Sequence, residues 1–296
     1  MTAKPGDYPA RISKWLDRQG FPFELRVGKR IANAGWSVTH GHLFTDRASG
    51  KSRETDIIAS LASSDQTLPV VRLSLIVECK VSSARPWVVF TAKGRPITPM
   101  LSSAFASGAT ATAALFELIS ARNKPEALSL LSSGGRRNHG IAAVDFATSR
   151  GRRRNMAYAA VRAAAAGATA RSADQDDQYD AHKGSGRTAE DQVSGFTVYL
   201  PVVVVGGDLF EFSLNDDGSE TLDSIDAAKV LAPSMNAPSG TSLVSVVTES
   251  GLGQLLVEGQ KDFERLRLAY RNNPELMHVK LTKRVLQYVA EMRHGA

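Results

Sequence analysis

A single cysteine stands among 296 residues, so the chain has no internal disulfide framework and suits a reducing compartment. No run approaches the roughly 18 apolar residues that cross a bilayer. The longest candidate, Leu200 to Val205, has the length of a strand and contains Pro201. Met1 to Asp7 lack the apolar stretch of an export signal, and the reading is cytoplasmic, with no membrane. No Gly-Lys-Ser/Thr follows a glycine-rich turn, which leaves no phosphate loop; Gly206-Gly207 reads as a hairpin turn. His40-Gly41-His42 has the spacing that puts two imidazoles on one strand face, yet no Cys or His cluster completes a zinc site.

What is present begins with charge. The formal balance is +6, with a pI near 9.5, compatible with a polyanionic partner. Arg136, Arg137, Arg152, Arg153 and Arg154 crowd one region, and their spacing suits contacts to a phosphate backbone. The competing reading is an ordinary solvated face. His139 and Trp87 are weaker candidates for phosphate and base contact, better read as a loop histidine and a core or rim aromatic.

Periodicity gives the elements. Residues 8 to 34 read as helical, with one stripe of Ile12, Trp15 and Leu16 and a second of Phe23, Val27 and Ile31. Gly20-Phe21-Pro22 divides them into two helices, and Gly35 stops the second. Strand-like text runs from Trp36 to Phe44, and a turn spans Asp46 to Lys51. Two further strands cover Glu54 to Leu61 and Leu73 to Val81, and another covers Pro86 to Thr91. From about 100 to 168 the chain reads as helical, most firmly over Ala111 to Arg122 and Asn155 to Ala166. Residues 169 to 191 read as a loop, and Phe196 to Val205 as a buried strand that rejoins the first sheet. Two amphipathic helices, separated at Asn272-Asn273-Pro274, fill about 254 to 292. The expectation is one α/β domain over 1–296: a core of about 20–100 and 192–250, a helical insert of about 101–191, and the C-terminal helices.

The chemistry lies in two of these strands. Side chains alternate faces along a strand. From Leu73 to Val81 the odd positions, Leu73, Leu75, Val77, Cys79 and Val81, form an apolar face on which Cys79 is a small buried hydrophobe. Glu78 and Lys80 fall on the other face. From Glu54 to Leu61 the odd face is Thr55, Ile57, Ala59 and Leu61, and Glu54 and Asp56 lie opposite. If the strands pair, Asp56, Glu78 and Lys80 share one side of a sheet. Two carboxylates suit a hard cation such as Mg²⁺, which takes few protein ligands and keeps the rest of its shell for water and phosphate. Lys80 would then stand beside the attacking water. The bland alternative is a cross-strand ion pair on a wet sheet.

Arg53-Glu54-Thr55-Asp56-Ile57-Ile58, followed by Ile76-Val77-Glu78-Cys79-Lys80, resembles the signature of the PD-(D/E)xK, or restriction-endonuclease-like, superfamily. Phe23-Glu24-Leu25-Arg26 opens a helix ending in Ala34-Gly35-Trp36 ahead of the motif, and Arg85-Pro86-Trp87-Val88-Val89-Phe90 trails it, in the family's order. The likeness covers about residues 20 to 92 and extends weakly to Pro201–Phe210. One departure is Thr55 where the family commonly has Pro. The resemblance implies a mixed sheet flanked by helices and a metal-dependent nuclease acting on DNA, duplex more readily than single strand. It makes Asp56, Glu78 and Glu24 ligands or neighbours of Mg²⁺, with Mn²⁺ as a substitute, and gives Lys80 the nucleophilic water. It also suggests a homodimer or a larger host-defence assembly. The second reading is a module on the same fold that binds nucleic acid or protein without catalysis.

Overall fold

The computed structural model describes residues 8–16, 19–47, 49–63, 71–82, 85–93, 105–106, 138–145, 155–183, 196–215, 217–233 and 241–272. It is a mixed α/β protein. The helices described are α1 (Tyr8–Leu16), α2 (Phe21–Asn33), α3 (Met156–Lys183) and α4 (Leu252–Asn272). The strands are β1 (Ser37–Asp46), β2 (Lys51–Ala62), β3 (Val71–Val81), β4 (Trp87–Lys93), β5 (Phe105–Ala106), β6 (Asn138–Asp145), β7 (Phe196–Gly206), β8 (Leu209–Leu214), β9 (Glu220–Ser224), β10 (Ala227–Pro233) and β11 (Thr241–Thr248). They form one sheet in the order β1-β2-β3-β7-β11-β10-β6-β4-β8-β9, with β5 pairing β7 off that path.

The N-terminal elements follow the sequence closely. Pro22 sits in the first turn of α2, where its missing N–H costs nothing, and Gly35 takes φ +85° just past the end. Phe23, Val27 and Ile31 recur at helical spacing and are buried against β2 and β3. Burying each such side chain stabilises the fold by about 1.5–3 kcal/mol. The β1–β2 hairpin closes at Asp46 and Lys51. The Asp46 carbonyl accepts the Ser49 and Gly50 amides, and Gly50 has φ +65°.

β3 and β7 run parallel at the centre, paired from Val71↔Phe196 to Val81↔Gly206. Both are covered on both faces, which explains their near-continuous apolar text. One side holds Leu73, Leu75, Val77 and Cys79 with Val198, Leu200, Val202 and Val204, under α2 and the Leu252, Leu255, Leu256, Phe263 and Leu266 stripe of α4. On the other side Val203 and Val205 meet Trp87, Val230, Val244 and the alanine face of α3. Pro201 is tolerated in this central strand by its position. Towards β5 the ladder covers Val198 and Tyr199, towards β11 it covers Val202 to Val205, and Pro201 falls in the gap.

Three expectations fail here. Gly206-Gly207 is not a hairpin turn, because β8 pairs with β4 and β9 rather than with β7. The parallel pair β3–β7 turns a corner and continues as the parallel pair β4–β8, tied there by the Trp87 amide donating to the Asp208 carbonyl at 2.9 Å. The stretch from 100 to 168 is not uniformly helical either. Asn138–Asp145 is a strand inserted between β10 and β4, so the region read as an insert supplies part of the sheet. Finally, α3 continues through Lys183 where a loop was expected from 169. Ala168, Thr169, Ala170 and Ser172 are buried, and neither Gly nor Pro interrupts residues 168 to 183. Burial of small side chains against the sheet outweighs the polar Asp/Gln text. The expected helix at 111–122 and the second C-terminal helix lie outside the described residues.

Candidate metal centre

The antiparallel β2–β3 ladder runs from Ala62↔Arg72 to Ile57↔Val77 and stops there. In that register Asp56 stands opposite Glu78, as the sequence predicts, but β2 has already left β3. The Cys79 amide therefore donates to Asp56 Oδ2, at 2.7 Å, instead of to a β2 carbonyl. A carboxylate that accepts a backbone amide is fixed in place and favoured as an anion.

Simple alternation did not bring Asp56 there. Gly41 lies opposite it on β1 with φ +64°, a conformation few side chains tolerate. On one side of this pair, Ile57 joins the core under α2, and the His40 ring lies where a Cβ on Gly28 of α2 would be. On the other side, Thr55 and Phe44 close on Gly167 of α3. Thr55 and Ile57 thus face opposite ways, correcting the single odd face expected. The same kink separates His40 from His42, whose Nδ1 lies 2.8 Å from the Leu43 carbonyl oxygen, and removes the alignment a two-histidine ligand pair needs. Gly41 is the residue the sequence reading missed; a glycine inside a strand is the signal that could have shown it.

Lys80 joins the two acids. Its Nζ is 2.6 Å from Glu78 Oε1 and 3.9 Å from Asp56 Oδ2. The side chains of Glu78, Asp56 and Lys80 are 11%, 17% and 31% exposed, so the cluster is shielded but open to a small ligand. Burial, aided by Asp56 and offset by Lys80, pushes the Glu78 carboxyl up to about 7. Burial works against the Lys80 ammonium, yet Glu78, through charge and hydrogen bond, and then Asp56 more than restore it, and the net direction is upward. Glu24, in the first turn of α2, faces the same charges: burial first and Asp56 second raise its carboxyl, while Lys80 lowers it. The structure thus brings Glu24, Asp56, Glu78 and Lys80 together. Glu54 is exposed and close enough to Glu24 to contribute a small repulsion. The Cys79 thiol is buried and its pKa strongly raised, first by burial, which removes it as a nucleophile. Trp87 is fully buried and cannot stack on a base.

Among the described residues no three carboxylate, imidazole or thiol side chains stand close enough to make a complete ligand set. The oxygens present still fit one hard cation. Asp56 Oδ1 and Glu78 Oε2 accept no hydrogen bond from any described residue, and a pair of carboxylates is the protein share that Mg²⁺ usually takes. Arg136, Arg137 and Arg152 to Arg154 lie outside the described residues, and the side chain of His139 likewise.

Comparison of the chain with protein-family models, with curated proteins and with solved structures finds no match.

Proposed function

We propose that the protein is a metal-dependent nuclease with a restriction-endonuclease-like core, hydrolysing phosphodiester bonds in DNA. The observation that carries this reading is the meeting of Asp56, Glu78 and Lys80 where β2 parts from β3. Asp56 and Glu78 would hold Mg²⁺ or Mn²⁺, and the ion would supply Lewis acidity toward the scissile phosphate and its attacking water. Asp56, fixed by the Cys79 amide, sets the position of one ligand oxygen. Glu78 brings charge that burial disfavours, so it gains most from a cation. Lys80 keeps a proton and donates hydrogen bonds, orienting water and offsetting charge on the phosphorane. Glu24 adds a fourth polar group on the α2 side. A cytoplasmic setting and a host-defence role accord with this reading.

The competing reading is a binding module in which the same cluster is a buried ion pair, and the 2.6 Å Lys80–Glu78 contact favours it. Incubation with supercoiled plasmid, linear duplex and single strands, in Mg²⁺ and in EDTA, separates the two. Metal-dependent cleavage is expected, falling at least about a hundredfold in Asp56→Ala, Glu78→Ala and Lys80→Ala. Cleavage at the wild-type rate in all three variants would refute the nuclease assignment.

A further inference from the structure

β3, β7 and β11 are parallel, so their carboxyl ends at Val81, Gly206 and Thr248 line up along one edge of the sheet. A cleft of about 360 Å³ opens beyond that edge. In open α/β sheets such a crevice is where ligands bind. It begins beside the cluster already described: Lys80 has Val205 as its partner on β7, and Val205 lines the cleft. Strand spacing of about 4.8 Å puts the β7 and β11 ends roughly 5–10 Å from the Lys80 backbone. Charges along one nucleic-acid strand repeat about every 3.4 Å of helix axis, so the next phosphates fall within that span.

The lining has two chemical ends. Arg26, on α2 two residues after Glu24, lies with its guanidinium carbon 5.6 Å from the Phe23 ring centroid. It makes no ion pair or hydrogen bond with any described residue. Phe23 in turn packs on Gly206, where a Cβ would lie 3.0 Å from the ring, so the floor under Arg26 is rigid. At the other end are carboxylates and hydroxyls. Asp226 Oδ1 accepts from Thr248 at 2.7 Å and from Ser250 at 2.5 Å, while Glu249 is taken up by Arg30 at 3.3 Å. Asp208 also lines this part of the cleft.

We infer that this cleft is a nucleotide subsite, in which Arg26 holds a phosphate next to the scissile one and the Asp208–Asp226 end accepts hydrogen bonds from a base or sugar. A donor fork at one end and acceptors at the other match the phosphate and the base or sugar of one nucleotide. The volume suits one such unit. The inference rests on the nuclease reading only in placing that phosphate beside a scissile bond, while the nucleotide site stands on the cleft alone.

Two measurements on the full chain decide it. The first is fluorescence anisotropy of a labelled DNA duplex in EDTA, at several salt concentrations. Arg26→Ala is expected to weaken binding about tenfold and to reduce the slope of log K against log salt by about one. Lys29→Ala, an exposed lysine on the same helix outside the cleft, should bind more tightly than Arg26→Ala at every salt concentration. The second is cleavage kinetics, where Arg26→Ala should raise KM with kcat retained. Unchanged binding and KM in Arg26→Ala, with wild-type cleavage intact, would overturn the subsite and leave the nuclease standing. Absence of cleavage by the wild-type protein would remove the nuclease, and the anisotropy data would still decide the cleft. A thermal melt of Arg26→Ala close to wild type confirms that a loss is not unfolding.

Discussion

Asp56 Oδ2 accepts the Cys79 backbone amide at 2.7 Å and lies 3.9 Å from the Lys80 ammonium, so one oxygen belongs to both the sheet and the candidate site. The amide it accepts is one that β2 would otherwise have taken. The departure of β2 at residue 56 opens the site, and the carboxylate fills the missing rung of the ladder.

The raised Glu78 carboxyl makes stability pH-dependent. Unfolded, the group titrates near its ordinary 4.5; folded, near 7. Between those values the folded protein keeps a proton the unfolded chain has lost. The stability from neutral Glu78 is therefore complete below that window and is lost as pH rises through 7. The loss over the whole window is on the order of 3 kcal/mol, of which roughly 2 kcal/mol falls above pH 5.5. Thermal unfolding in EDTA at pH 5.5 and 8 should show it as a fall in Tm that is smaller in Glu78→Gln. With Glu78 as a metal ligand, as proposed, protons compete with the ion for this carboxylate, and calorimetric Mn²⁺ affinity should rise up to about pH 7 and then level off.

Cys79 is expected to be inert. A thiol reagent should leave it unmodified in the native protein and react only on unfolding. Cys79→Ala should keep metal-dependent cleavage at the wild-type rate, because the contact to Asp56 comes from the backbone. Rapid native labelling with loss of cleavage would contradict the buried thiol.

Two glycines in close contact should respond differently to a methyl group. On Gly251 a Cβ would lie 2.3 Å from the Asp226 carbonyl oxygen, and backbone cannot swing aside. On Gly28 it would lie 2.4 Å from the His40 ring, the end of an exposed side chain that can turn away. Denaturant unfolding should show Gly251→Ala destabilised by about 1–3 kcal/mol. Gly28→Ala should be near neutral, since alanine in a helix regains up to about 1 kcal/mol.

Asp262 on α4 is fully buried, with Arg265 at 3.4 Å. Lys229 on β10 lies near enough to feel it: burial lowers the Lys229 ammonium to about 8, and Asp262 and then Glu258 hold it up. Asp262→Ala removes that support and should cost about 1–3 kcal/mol. The joint change Asp262→Leu with Lys229→Met should recover most of the loss, measured by denaturant unfolding.

Composition and periodicity determined much of this protein. The α2 stripe, the β1–β2 hairpin, the apolar alternation of β3 and the continuous apolar run of β7 all follow from local residue order, because each buries its own face. Strand alternation picked out Asp56, Glu78 and Lys80 as candidates, and Glu24 entered only through the family resemblance. The tertiary structure alone decided the rest. It turned Thr55 away from Ile57 through the Gly41 kink, and made Gly206-Gly207 a corner. It also extended α3 through polar text by burying small residues, and drew Asn138–Asp145 into the sheet. Each depends on a partner far along the chain, and neither periodicity nor turn chemistry encodes which strand will lie alongside. The sequence named the charged groups; where β2 parts from β3 decided that they meet.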